Sequence, residues 1–172
     1  MKTTLKFVAA IAIMALCSNV SAQNLKLAHI NLEELITSMS EFDSLQVKMQ
    51  REQKGLEDEL DLMRVEMNRK YEEYSKNQTT WTELVKQAKV EDIQSMQGKI
   101  EQYQQWAMEK LQQMQGELMQ PILDKANKAI ETVAKEQGIT YVISGNPQIL
   151  LYKAAGTIDL LPSAKKHLGI NK

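Results

Sequence analysis

The sequence predicts an α+β fold, in which a small body of β-strands carries one long antiparallel α-helical coiled-coil hairpin per chain. Two long stretches repeat apolar residues at steps of three or four, which is the spacing of amphipathic helices. Short β-branched and aromatic runs lie on either side of those stretches. Glycine and proline number only 7 and 3 among 172 residues, which suits long helices better than a sandwich or a barrel.

Residues 1–22 are predicted to be a cleaved signal peptide. Lys2 and Lys6 precede a short apolar run, and small residues end at Ala22, the expected cleavage position. The apolar run is too short to span a bilayer. Cleavage would remove Cys17, the only cysteine, so the exported chain could form no disulfide.

The charge balance disfavours two classes of partner. The whole chain has 21 basic and 22 acidic residues, and loss of Lys2 and Lys6 would leave 19 basic against 22 acidic residues. Nucleic acids and anionic lipids attract basic surfaces. We therefore expect no nucleic-acid partner and at most transient contact with a membrane.

The first predicted elements of the exported chain are a strand at residues 25–30 and a short helix at residues 32–38. Asn31 and Glu34 form a capping box at the start of that helix. Ser40 marks the start of a further helix.

Two apolar stripes predict the two helices of the hairpin, at residues 41–76 and 81–120. The residues between them are polar and predict a turn, and Thr80 and Glu83 form a capping box for the second helix. The stripes are Phe42, Leu45, Met49, Gln53, Leu56, Leu60, Met63, Met67, Tyr71 and Tyr74, and then Val85, Ala88, Ile93, Met96, Ile100, Tyr103, Ala107, Leu111, Met114 and Leu118.

The hairpin is predicted to be antiparallel because its helices are nearly equal in length and joined by a short turn. It would reach roughly 55 Å, and two helices alone cannot bury both of their faces. Pro121 predicts a kink or a restart, followed by a last helix at residues 122–137 that Gly138 ends.

The end of the chain predicts strands again. Residues 139–143 and 149–153 are expected to form the two strands of a hairpin, joined by a turn at residues 145–147. A short helix at residues 159–168 is expected to follow the hairpin. Three short strands in one chain leave exposed edges, which neighbouring copies would cover.

The stretches LKLAHINLEELI and LMQPILDKANKAIETVAKEQGITYVIS, with the long helical hairpin between them, resemble the Skp/OmpH-like periplasmic chaperones. The resemblance covers nearly all of the exported chain. It implies a homotrimer in which strands of three subunits form a small barrel, and three arms enclose a cavity for unfolded outer-membrane β-barrel proteins. The best-known members are strongly basic and this chain is not, so apolar contacts are the part of the mechanism expected here.

We therefore expect three parts in the chain. These are the signal peptide at 1–22, an oligomerisation body of strands and helices at 23–39 and 121–172, and the helical hairpin arm at 40–120. The residues expected at subunit contacts of the body are Leu25, Leu27, Ile30, Ile139, Tyr141, Val142, Ile143, Leu150 and Leu151.

The sequence contains no recognisable catalytic motif, so we expect no enzyme activity and no cofactor. The abundant Glu and Asp residues lie at helical spacing, where solubility and pairing explain them. His29 and His167 are far apart and lack neighbouring Cys or His, so a strand-packing role is favoured for His29 over a metal site.

Methionine is frequent in the predicted helices, and a flexible polarizable side chain adapts to varied apolar clients. The same methionines could instead fill the seam of the arm, and the aromatic residues near its tip could grip a client or staple the turn. The client-binding candidates are Met49, Met63, Met67, Tyr71, Tyr74, Trp81, Met96, Met108 and Met114, with Met108 the best single candidate because it lies off the stripe.

Gly55 and Gly98 interrupt good helical sequence and are candidates for a hinge in the arm, although they could also be tolerated surface glycines. Folding the hairpin about residues 78–79 would place Gly55 opposite Gln102 and Gly98 opposite Glu59.

The function predicted is that of an ATP-independent periplasmic holdase chaperone for unfolded outer-membrane proteins. The alternative is an exported structural coiled-coil spacer or scaffold, which would show the same helical repeats without a need for the strand body.

Overall fold

The computed structural model of the protein describes residues 25–170, and the predicted signal peptide lies outside them. The architecture is mostly helical, with one small sheet, as the sequence predicts. The elements in chain order are β1 (Leu27–Ile30), α1 (Leu32–Thr37), α2 (Ser40–Asn77), α3 (Glu83–Glu136), β2 (Tyr141–Ser144), β3 (Ile158–Asp159) and α4 (Leu161–His167).

The sheet has three parallel strands in the order β2–β1–β3. Leu27 lies opposite Tyr141, and Ala28 lies opposite both Val142 and Ile158. Parallel neighbours need a long crossover, and both long helices lie within the crossover from β1 to β2. In this order β1 is the central strand, and β2 and β3 are the two edge strands.

The expected strand hairpin near the end of the chain is wrong. Residues 149–153 form no strand, and the third strand is Ile158–Asp159 instead. Both β2 and β3 pair with β1 rather than with each other. Residues 149–153 pair with none of the three strands, so their β propensity alone does not make them a strand.

The core lies where the sheet, α1, α4 and the second half of α3 meet. Leu35 of α1 and Leu160, just before α4, are fully buried. The cap predicted for α1 is confirmed, since the Glu34 N–H donates to Asn31 Oδ1 at 3.2 Å. The buried core residues are Ala28, Ile30, Leu35, Ile36, Met39, Leu45, Ile122, Ala126, Val133, Ala134, Leu160, Leu161 and Ala164.

Of the two alternatives expected at Pro121, the restart is wrong, because α3 runs as one helix from Glu83 to Glu136, and the kink stays a prediction. A proline inside a helix costs about 3 kcal/mol. In the turns that follow, Ile122, Ala126 and Val133 are buried in the core, and this burial offsets that cost.

The start of α3 also differs from the prediction. The N-cap is Thr82, whose hydroxyl oxygen accepts from the Val85 N–H at 3.4 Å. The Thr80 hydroxyl instead donates to the Asn77 carbonyl at 2.8 Å, within the turn that ends α2. The predicted capping box of Thr80 and Glu83 was therefore two residues early.

Candidate functional site

The helix α2 packs along the first part of α3, and we call this paired region, residues 40–120, the arm. Ion pairs connect the two helices at four positions along the arm. From pair to pair, the residue number of the α2 partner rises while that of the α3 partner falls. The pairs are Glu41 with Lys125 near the body, Glu52 with Lys110, Lys70 with Asp92 at 2.5 Å, and Glu73 with Lys89 at 2.6 Å.

The arm has a thin apolar seam. Leu56 of α2 and Ile93 and Ile100 of α3 are nearly fully buried. Five of the predicted client-binding methionines are only half-buried in or beside this seam, because two helices cover each other on one side only: Met49, Met63, Met67, Met96 and Met114. Each of them therefore supports the seam while part of its surface stays exposed, and client contact by these methionines stays a prediction.

Met108 differs from those methionines, as its position off the apolar stripe predicts, and 66% of its surface is exposed. It lines an open groove of about 350 Å³ between the two helices, which we call the mid-arm groove. The other residues that line it are Gln53, Leu56, Glu57, Leu60, Tyr103, Gln104, Ala107 and Leu111.

A second groove, of about 490 Å³, lies where the arm joins the body, and we call it the basal groove. Phe42 and Met119 supply its apolar surface from the two long helices, and Ile36 supplies it from α1. Ser144 and Asn146, at the end of β2, form part of its rim.

The aromatic residues at the tip of the arm contact each other. The rings of Tyr74 and Trp81 meet edge to face at 6.2 Å between centroids, and Lys89 lies 5.4 Å above the Trp81 ring while it pairs with Glu73. These contacts are those expected of a staple across the turn. Tyr71 is more exposed, and a client contact by these residues stays a prediction.

Sequence reasoning did not single out Trp106, which is 49% exposed on α3. Its ring lies 5.4 Å from Tyr103, and Lys110 lies 5.2 Å above it while it pairs with Glu52. The residue was missed because it falls outside the apolar stripe. A search for large apolar residues off the stripe would have found it together with Leu62, Val65 and Leu84.

The ion pairs of the arm favour the charged forms of their members. The Lys89 ammonium lowers the pKa of the Glu73 carboxyl by a side-chain hydrogen bond, and Lys70 lowers the pKa of Asp92 in the same way. Desolvation opposes both shifts. Pairs this open to water contribute little stability, and their positions show which residues of the two helices face each other.

The residues predicted to lie opposite Gly55 and Gly98 in the arm are wrong. The pair Glu52–Lys110 places Gly55 near Ala107 rather than Gln102, and Lys70–Asp92 places Gly98 near Arg64 rather than Glu59. The glycines then lie about 13 Å apart along the arm, instead of about one helical turn. Their role as a hinge is not decided by this change and stays a prediction.

The predicted contact residues of the body form two groups. Leu25, Leu27, Tyr141 and Ile143 are exposed on or beside the sheet, and Leu151 is 96% exposed in the segment after β2. The others lie closer to the chain's own core, where Ile30 is buried and Ile139, Val142 and Leu150 are half-buried.

His29 lies buried in the central strand. Its Nε2 is 3.3 Å from Lys153 Nζ and 3.9 Å from Asp159 Oδ2, which tie the segment after β2 and the strand β3 to β1. Within residues 25–170, no group of three His, Cys, Asp or Glu side chains is placed to hold a metal ion. In the same range, no helix has the length and apolar character needed to cross a membrane.

Comparisons with known proteins agree with this architecture. The family model described as Outer membrane protein (OmpH-like) matches residues 26–168. Among solved structures, the chain is similar to one from Caulobacter crescentus CB15, described as a candidate outer membrane chaperone (OmpH-like). The TM-score is 0.73 at 10% identity, over 83% of this chain and 82% of that one, so this likeness shows the fold.

The comparison with curated proteins found no match. The family model nevertheless spans β1, both long helices, the two later strands and α4. The small parallel sheet with its long paired helices is therefore the fold of a protein that belongs to the OmpH-like family.

Proposed function

We propose that the protein is an ATP-independent holdase of the periplasm that binds unfolded outer-membrane β-barrel proteins and prevents their aggregation. The observation that carries the proposal is the OmpH-like match over residues 26–168. The description of the similar Caulobacter protein as a candidate chaperone supports it. The signal peptide predicted at residues 1–22 supports export from the cytoplasm.

The arm is proposed to be an antiparallel coiled-coil hairpin that meets the client. The four ion pairs between α2 and α3 support this pairing. Its half-buried methionines offer weak and adaptable contacts, and many such contacts together give avidity without a fixed binding register. Release would need no nucleotide, because a client that folds buries the surface by which it is held.

The body is proposed to assemble three chains, with their strands forming a small barrel. The outer edges of β2 and β3 face away from β1, and edges of this kind are commonly covered by another chain. The exposed side chains of Tyr141, Ile143 and Leu151 would be buried by such an assembly. Three arms would then surround one cavity.

The function can be tested with an outer-membrane porin unfolded in urea. The chain without residues 1–22 is mixed with the porin, the mixture is diluted, and light scattering is followed. We expect scattering to be suppressed at an equimolar ratio of trimer to porin. Unchanged scattering would favour the alternative, an exported coiled-coil spacer or scaffold.

The assembly can be tested separately by sedimentation of the same chain. We expect the mass of three copies and a frictional ratio well above that of a compact sphere. A compact single copy would contradict the proposed cavity, because no second or third arm would then close it.

A further inference from the structure

The two sides of the arm differ in chemistry. On one side of the seam lie three of the ion pairs, Glu52–Lys110, Lys70–Asp92 and Glu73–Lys89, and we call this side the ion-pair flank. On the other side glutamine is the commonest residue, and we call this side the glutamine flank. It consists of Phe42, Gln46, Gln50, Gln53, Glu57, Leu60 and Arg64 of α2 and Gln94, Gln97, Glu101, Gln104, Met108, Leu111, Gln115 and Met119 of α3.

These rows follow helical spacing, with steps of three or four residues. Both grooves of the arm open on the same side of it. The mid-arm groove is lined by Gln53, Leu60 and Met108 of the glutamine flank, and the basal groove is lined by Phe42 and Met119. The glutamines Gln46 and Gln50 lie between the two grooves along α2.

We propose that the glutamine flank is the surface that holds the client, with an uncharged extended segment of the unfolded polypeptide seated across both grooves. This inference rests on the proposed holdase function. A glutamine amide can both donate and accept hydrogen bonds, as each peptide unit of an extended chain can. Gln53 and Gln97 each already donate one hydrogen bond, to Glu57 at 2.8 Å and to Glu101 at 3.3 Å, and each keeps a second N–H and its carbonyl oxygen for the client. A surface of this kind recognises a backbone whatever its sequence, and the grooves add a preference for apolar side chains.

The spacing of the grooves sets the length of the bound segment. Phe42 and Leu56 lie fourteen residues apart on α2, which is roughly 21 Å of helix. An extended chain covers this distance in about six residues. A single transmembrane β-strand has about nine to eleven residues, so one strand of an unfolded barrel protein is long enough to reach both grooves.

A second copy of the arm would fit this flank less well. Packing another helix along the arm needs an apolar row over several turns. The glutamine flank is apolar only at its two grooves and polar at Gln46, Gln50, Gln94 and Gln97. The ion-pair flank is also disfavoured for an uncharged client, because covering an ion pair removes water from both of its charges. The glutamine flank has three charged residues among its fifteen, which are Glu57, Arg64 and Glu101, so covering it removes water from fewer charges.

The flank can be tested by site-specific photocrosslinking to a urea-unfolded porin. Exposed positions allow single cysteines to be introduced with little effect on folding, and the chain without residues 1–22 has no other cysteine. A photocrosslinking probe is attached to each cysteine, and Gln50→Cys and Met108→Cys place this probe on the glutamine flank. Val47→Cys and Leu62→Cys place it at positions about as exposed as Met108 but off that flank.

We expect porin adducts at positions 50 and 108 and several-fold fewer at positions 47 and 62. In a matched pair without probes, Met108→Gln should weaken porin affinity by about three- to tenfold, while Leu62→Gln should change it by less than about twofold. Glutamine is nearly isosteric with methionine and forms helices well, so a loss at position 108 would not reflect unfolding.

The outcomes separate the two proposals. If the unchanged protein suppresses aggregation but all four positions crosslink equally, the flank assignment is overturned and the holdase function stands. Adducts between two copies of the arm through position 108, formed without porin, would also overturn it. If the unchanged protein does not suppress aggregation, the proposed function fails and this inference fails with it.

Discussion

The body and the arm contain the same kinds of apolar residue but bury them to different extents. Leu35 in the body is 0% exposed, whereas Leu62 in the arm is 65% exposed. The body packs helices from three segments against a sheet, while the arm has only two helices that share one seam. The layered body therefore buries its apolar side chains within one chain, and the two-helix arm leaves more of its apolar surface exposed.

The largest difference between the regions should appear when a core leucine is shortened. Leu35→Ala leaves a cavity in the body and should lower the free energy of unfolding by about 2–5 kcal/mol. Leu62→Ala on the arm surface is the matched control and should change it by less than about 0.5 kcal/mol. Urea unfolding followed by far-ultraviolet circular dichroism measures both. Equal losses would mean that the body and the arm are not packed differently.

A seam residue of the arm should give a smaller loss than the body core. Leu56→Ala removes a side chain that is 8% exposed beside the open mid-arm groove, where the neighbouring side chains can move inward. We expect a loss of about 2 kcal/mol, at the low end for a buried leucine. Hydrogen exchange should show faster opening of the arm amides alone. Faster exchange in the body as well would show that the two regions unfold together.

The two glycines test the rigidity of the arm. A Cβ built on Gly55 or Gly98 meets nothing within 4 Å, so Gly55→Ala and Gly98→Ala should each stabilise the helix by up to about 1 kcal/mol. If these glycines form a hinge, the double variant should also narrow the range of arm openings seen by small-angle scattering. An unchanged scattering profile in the more stable variant would contradict the hinge hypothesis and indicate that both are tolerated surface glycines.

The smallest effect is expected from acid. Glu73 and Asp92 have lowered pKa values in the folded arm, against ordinary values of 4.5 and 3.8. Their ion pairs therefore stabilise the arm fully above those ordinary values, and this contribution is lost as the pH falls through the lowered ones. Thermal unfolding of the arm should show a slight loss of stability in that acid range.

The matched control for the acid prediction is the double variant Glu73→Gln, Asp92→Asn, which lacks both carboxyls. Its stability should depend less on pH over the same acid range. If the variant and the unchanged protein lose stability to the same extent, other carboxylates govern the acid response, and the ion pairs set only the register of the two helices.

Much of the secondary structure could be predicted because its signals are local. The apolar stripes predict two long helices, and the capping box of Asn31 and Glu34 predicts the start of α1. The exposure of Met108 could also be predicted, because its position off the stripe follows from helical periodicity alone. Trp106 was not predicted for a related reason: it is a large apolar residue that lies outside both stripes.

The candidate site could be predicted only in part. The sequence indicates which methionines lie near the seam, but the two grooves depend on how the helices align. A shift of five residues between the predicted and observed levels of Gly55 moves a different set of α3 residues opposite each position of α2. The two apolar stripes are compatible with several alignments, and the ion pairs between α2 and α3 show which one the structure adopts.

By itself the sequence determined the long helices, the resemblance to the OmpH-like family and the position of strand-forming runs near both ends of the helical region. Only the tertiary structure decided that residues 149–153 form no strand, that α3 continues through Pro121, and that Phe42 and Met108 border grooves on one flank. The physical reason is that helical periodicity and capping act within a few residues. Strand partners, the burial that offsets a proline and the alignment of two helices depend on segments that are distant in the chain.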